Sequence, residues 1–226
     1  MALRLTWALW NPPRSSDESK PCFEKASTAM TQLEALTDRG PSTRQEPKVS
    51  PSLLGMILFI ASEVMFFGGL FGAYFNIRAG FEEWPPAGTP EIEIAVTLAL
   101  TAVLLSSSVT QHLAVAAINR DDRRGLARWI GVTVCLGLAF LAGQIYEYST
   151  LGFGPSDNVF TTLFFTITGF HGFHVAAGIV ILILVMLRAN RFSAEHHGHV
   201  EAATYYWHFV DAVWLFVFTA LYLLTR

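Results

Sequence analysis

Seven ionisable side chains sit inside stretches of this chain that are otherwise apolar: Glu63, His112, Glu147, His171, His174, His208 and Asp211. A charge at the centre of a bilayer costs about 2.5–3.5 kcal/mol on insertion scales, so such residues need a reason. His171 and His174 are three positions apart and share a helix face, as do His208 and Asp211. An Asp–His pair in a low dielectric can fix a tautomer, carry a proton or simply satisfy itself. Two histidines on one helix and a third on another could also ligate haem, copper or zinc. Against metal, no HExxH occurs, no two histidines stand four apart within an apolar stretch, and the HHGH string at 196–199 is expected in a loop. Cys22 and Cys135 form neither a CxxC pair nor a disulfide framework. Interhelical hydrogen bonding, a proton or lipid contact, and metal ligation all remain open on the residues alone.

The elements that must position these groups are membrane-spanning helices. The chain has 226 residues, 52% of them hydrophobic and only 15% charged, with mean hydropathy +0.41. Soluble domains carry about 25% charged residues. Five apolar runs are long enough to cross a bilayer, which takes about 20 residues: 52–78, 91–118, 126–148, 158–188 and 201–226. The expected fold class is therefore all-α, an integral membrane bundle of five transmembrane helices. The fourth run would be roughly 46 Å long at 1.5 Å per residue, which requires tilt or projection into a headgroup layer. Trp84-Pro85-Pro86 and the segment from Gly152 to Pro155 supply breaks between runs.

Glu63 lies near the middle of the first run, and His171, His174, His208 and Asp211 near the middles of the fourth and fifth. His112 is closer to the cytoplasmic end of the second, and Glu147 to the outer end of the third. At about 100° per residue, Phe59, Phe66, Phe67, Leu70 and Tyr74 fall on the Glu63 side of the first helix. Ala61, Gly68 and Gly72 fall opposite, forming a small-residue strip with a GxxxG element suited to close contact with a neighbouring helix. Glu63 is thus expected to point away from that seam into aromatic surroundings, where it either hydrogen-bonds a neighbouring helix or takes part in lipid contact or proton handling.

Lys and Arg in the short connections set the orientation. Arg39, Arg44 and Lys48 precede the first run; Arg120, Arg123, Arg124 and Arg128 follow the second; Arg188 and Arg191 follow the fourth. The other side has little beyond Arg78 and Arg226. The N-terminus is therefore expected in the cytoplasm and the C-terminus outside, in a multi-pass arrangement. Arg188, Arg191, His196 and His197 gather at the cytoplasmic boundary, where they suit either an anionic lipid headgroup or a plain positive-inside loop. Residues 1–50, rich in Pro, Ser, Thr and charge, are expected to form a disordered cytoplasmic tail with a short helix near 24–38. Leu3 to Trp10 is too short for a signal-peptide core, and Met30 is an alternative start.

Four strings then stand out in order: GMILFIASEVMFFGGLFGAYF (55–75), GQIYEY (143–148), TGFHGFHVAAG (168–178) and YYWHFVDAVWLFVF (205–218). Together they resemble subunit III of the cytochrome c oxidases, in that family's order and with similar spacing, over essentially all of 52–225. The resemblance implies a non-catalytic accessory subunit without haem or copper of its own, those groups residing in partner subunits I and II. It implies bound phospholipid, a stabilising contact with subunit I and support of sustained proton uptake. It places Glu63 at the family's membrane-embedded, carbodiimide-reactive glutamate. His171, His174, His208 and Asp211 fall on family motif positions, Glu147 on the acidic residue of a Tyr/Glu-rich helix end, and Arg188 on a basic lipid-headgroup position. Longer family members have two further helices at the start, so the lipid cleft here must be open or covered by lipid or another subunit. A bacterial cell membrane is the expected location and no nucleic acid partner is expected. The alternatives are subunit III of a quinol oxidase and, in a different class, an independent membrane enzyme or transporter. The paired broken helices that would mark a transporter are not evident.

Overall fold

The computed structural model describes residues 51–87, 89 and 94–225, together with residues 27 and 30–32. The expected tail at 1–50 and its short helix at 24–38 lie outside the described residues apart from those four positions.

Five helices are long and apolar enough to span a membrane. They are α1 (Pro51–Arg78), α2 (Ile94–Ile118), α3 (Arg123–Thr150), α4 (Val159–Leu187) and α5 (Gly198–Phe218). A short 3-10 turn, Ala189–Arg191, follows α4, and α5 runs on into a π turn at Thr219–Leu223. The helix class expected from the apolar runs is therefore the observed one, and the boundaries differ by local chemistry. Asp122 caps α3 by accepting from the Gly125 amide at 2.8 Å, which satisfies one orphan N–H and starts the helix three residues before the apolar pattern does. α4 begins with a reciprocal capping box between Asn158 and Thr161. α5 also starts early, so Gly198 and His199, expected in a loop, belong to its first turn. His196 and His197 do lie in the connection.

α2, α3, α4 and α5 pack successively, and α5 returns to lie against α2 as well. α1 rests chiefly on α5 and only slightly on α4. Glycines let the helices close: Gly143 of α3 meets Leu100 of α2, and two further glycines meet an aromatic ring of α5. A Cβ on Gly137 would stand 2.7 Å from the Trp207 ring, and one on Gly178 would stand 2.9 Å from the same ring. Only a residue without a side chain lets α3 and α4 close on α5 at these points. The tryptophans that fill the gaps also find hydrogen-bond acceptors on α2: Trp207 Nε1 donates to Ser107 Oγ and Trp214 Nε1 to Thr101 Oγ1, each at 2.9 Å. Gln111 Nε2 donates to Thr204 Oγ1 at 2.8 Å. Polar residues of α2 thus run down a buried seam against α5.

At the opposite end from the Arg188 turn, α1 is tied to α5 by backbone acceptors. Tyr74 donates its hydroxyl proton to Ala220 O at 2.9 Å while accepting from Trp84 Nε1 at 3.0 Å, and Arg78 Nη2 donates to Leu224 O at 2.8 Å. These anchors fall at and just after the π turn.

Candidate functional site: buried polar pairs and a basic cleft

The Glu63 side of α1 faces the bundle, with Phe67 and Tyr74 buried. Glu63 Oε2 meets His174 Nε2 of α4 at 3.0 Å. The other ring nitrogen, Nδ1, lies 2.7 Å from the Phe170 carbonyl oxygen. A carbonyl can only accept, so Nδ1 carries a proton. The contact at Nε2 then needs one proton between the two partners: either the acid donates to a bare nitrogen, or an imidazolium donates to a carboxylate. Either way each side chain satisfies a polar atom of the other, which offsets part of the cost of burying them. Phe66, Phe67 and Phe173 surround the imidazole with centroids 5.0–6.2 Å away.

Phe66 and Phe67, expected on the Glu63 side of α1, pack on its partner His174, whereas no neighbour of the small-residue strip is found among the described residues. Ala61, Gly68 and Gly72 are exposed, and a Cβ on either glycine would meet nothing within 4 Å. The helical wheel separates two faces of α1 but contains no information on which one the rest of the chain covers. Here the larger aromatic side chains fill the space over α4 and α5.

His171 behaves differently from His174 although the two share a face of α4. It is 1% exposed, lies 4.9 Å from the Trp214 ring and 5.9 Å from Phe140, and neither ring nitrogen has a hydrogen-bond partner among the described residues. Interhelical hydrogen bonding, one of the expectations for this histidine, is therefore not what the described residues provide: its neighbours are aromatic rings.

His208 and Asp211 do not bond each other directly. Ser108 of α2 stands between them, with its hydroxyl oxygen 3.0 Å from His208 Nδ1 and in a short hydrogen bond to Asp211 Oδ2. Ser108 is the residue that sequence reasoning missed: nothing in a run of three serines marks the one that faces two ionisable groups. His112, one turn on from Ser108, is exposed and makes no hydrogen bond among the described residues. Glu147 is 5% exposed and accepts from Thr97 Oγ1 at 2.7 Å and from Gln144 Nε2 at 3.0 Å. Thr97 had no prior signal either, since threonine is common at membrane-helix interfaces, and Gln144 lies in the GQIYEY string without having been singled out there.

Arg188 and Arg191 stand on the rim of a cleft of about 620 Å³ between α1, α4 and α5. Met56, Ile181, Leu184 and Phe192 give it apolar walls, and His199 joins the two arginines at the rim. His199 takes the place that His196 and His197 were expected to fill. His197 instead lies 3.5 Å from Glu201 Oε1 across one turn of α5. No three His, Cys, Asp or Glu side chains converge to form a metal-binding group among the described residues.

Five helices long and apolar enough to span a membrane, joined by buried polar contacts, define a multi-pass membrane protein of the all-helical kind. Residues 44–226 match the family described as Cytochrome c oxidase subunit III. The chain is 46% identical over 177 residues to cytochrome c oxidase subunit 3 of Thermostichus vulcanus, covering 77% of this chain and 88% of that one. It is 43% identical over 175 residues to the Synechocystis protein of the same name, covering 76% and 75%. To the probable cytochrome c oxidase subunit 3 of Mycobacterium bovis it is 38% identical over 202 residues, covering 87% and 98%. The chain belongs to the cytochrome c oxidase subunit III family, and it is an accessory subunit of that oxidase.

Proposed function

We propose that this subunit retains phospholipid beside the catalytic subunits and supports sustained proton uptake by them, while haem and copper reside in its partners, subunits I and II. The observation that carries the lipid assignment is the cleft of about 620 Å³, apolar along α4 and α5 and bordered by Arg188, Arg191 and His199. Acyl chains suit the walls, and an anionic headgroup suits the guanidinium rim, each nearby cation contributing about 1 kcal/mol. The orientation that follows from the basic connections puts this rim at the cytoplasmic surface of a bacterial membrane, with the N-terminus inside and the C-terminus outside. The exposed Ala61, Gly68 and Gly72 face of α1 suits a helix of another oxidase subunit, because small residues allow the close backbone approach on which membrane helices rely. The family placement favours cytochrome c over quinol as donor, and the independent enzyme or transporter has no observation in its favour.

The lipid reading is tested by purifying the whole oxidase and quantifying bound phospholipid by mass spectrometry. Arg188→Gln with Arg191→Gln should lower the anionic phospholipid retained per complex by several-fold at unchanged haem content, given about 1 kcal/mol per lost cation. Unchanged lipid retention would remove the assignment.

A further inference from the structure

We propose that Asp211, Ser108 and His208 form a serine-bridged relay that holds one exchangeable proton, loaded through the His208 imidazole and stored on the Asp211 carboxyl. Nothing in the accessory role requires this site.

Ser108 has one hydroxyl proton and touches two groups at once, Asp211 Oδ2 and His208 Nδ1. It must donate to one and accept from the other. With Asp211 ionised, the serine donates to the carboxylate and His208 donates from Nδ1 to the serine oxygen. With Asp211 protonated, the chain runs the other way: the acid donates to the serine, and the serine donates to a bare Nδ1. The three residues therefore have two self-consistent directions, and the second holds one proton more than the first, carried at His208 Nε2.

The burial pattern sets where a proton enters. Asp211 is 4% exposed, and its second oxygen, Oδ1, is buried with no partner among the described residues. The Ser108 hydroxyl is thus the one polar group through which the described residues connect this carboxyl to anything else. His208 is half-buried; its Nδ1 is engaged by Ser108, and its Nε2 is not among the buried unpartnered atoms, so Nε2 is the end that the described residues leave open to a proton carrier. A proton bound at Nε2 makes the imidazolium. Nδ1 then passes its proton to Ser108 Oγ as the serine proton passes to Asp211 Oδ2. One proton has entered, one carboxylate is neutralised, and the imidazole is left neutral with its hydrogen on Nε2 instead of Nδ1. No electron moves and no other reactant is needed.

The groups facing this chain are few. α2 contributes Ser108 itself and the His112 imidazole, which is the electrostatic neighbour of His208. α1, α3 and α4 bring no titratable group into hydrogen-bond contact with Asp211 or His208 among the described residues. His112 is exposed on the surface of α2. The hydroxyls of Thr204, Ser107 and Thr101 in the same seam accept from one helix and donate to a backbone carbonyl, whereas the Ser108 hydroxyl lies between two ionisable side chains.

The test is infrared difference spectroscopy on the intact oxidase, with aspartate carbon-13 labelling to mark the protonated carboxyl band. The band should appear reversibly on acidification and vanish in Asp211→Asn. After transfer to heavy water, its shift should be rapid in the native complex and about a hundredfold slower in Ser108→Ala, the lower end of what a positioned proton-transfer group contributes. Ser108→Thr, which keeps the hydroxyl, should restore the native rate. Absence of any Asp211 band, or an exchange rate in Ser108→Ala equal to that of the native complex, would overturn the relay. If Ser108→Ala fails to assemble, His208→Gln asks the same question, because it removes the loading end while leaving the serine–aspartate bond.

Discussion

With its π turn counted, α5 matches the 26-residue apolar span of α1, yet the two are packed very differently. Of its most apolar stretch, α1 has 6% of residues buried within the chain and α5 has 56%. α5 is the post on which α1, α2 and α4 lean, and its tryptophans fill the notches left by Gly137 and Gly178. α1 is pinned by a few polar contacts, Glu63 to His174 in the middle and Tyr74 and Arg78 at one end, and leaves its glycines facing outward. In a bilayer, where lipid is as apolar as leucine, packing and polar contacts decide which helix is core and which is interface. Hydropathy alone therefore cannot tell the two apart.

The contrast can be broken most forcefully at α5. Trp207→Ala would remove a fully buried ring together with its hydrogen bond to Ser107. It should destabilise the subunit by about 3–5 kcal/mol, seen as loss of the chain from the assembled complex; wild-type assembly and thermal stability would mean that α5 is not the post. A sharper version compares glycines. Gly178→Leu drives atoms into Trp207 and should cost about 1–3 kcal/mol in thermal stability. Gly72→Leu meets open space within the chain, so the subunit should fold normally but copurify poorly with its partners. Equal damage from both substitutions, or none from either, would erase the distinction. The smallest structural effect is expected at Glu63. Glu63→Gln keeps a group able to bond His174 and should leave assembly and haem content intact while abolishing carbodiimide labelling of this subunit. Persistent labelling would show that another carboxyl is the reactive one.

Much of this architecture could be read from the residues. The five spans follow from runs of about 20 apolar residues, and the polar groups near their centres stand out because bilayer burial makes them costly. The aromatic setting of Glu63 follows from helical periodicity alone. What escaped depends on pairing between helices. No periodicity tells which face of α1 meets the bundle, that Ser108 rather than direct contact joins His208 to Asp211, or that His171 packs on Trp214 while His174 reaches Glu63. Helix ends were displaced for a different reason: Asp122 and His197 start helices in polar segments that an apolar pattern does not count. The same early start brings His199, and not His196, to the basic cleft.

The most direct measurement of the central claim is to deplete this subunit from the purified oxidase and record the visible spectrum and the time course of oxygen consumption. An accessory, lipid-retaining role predicts that all haem absorbance stays with the partners, and that turnover begins at a substantial rate but fails sooner than in the intact complex. Haem leaving with this chain, or immediate and total loss of turnover with the partners otherwise intact, would contradict it.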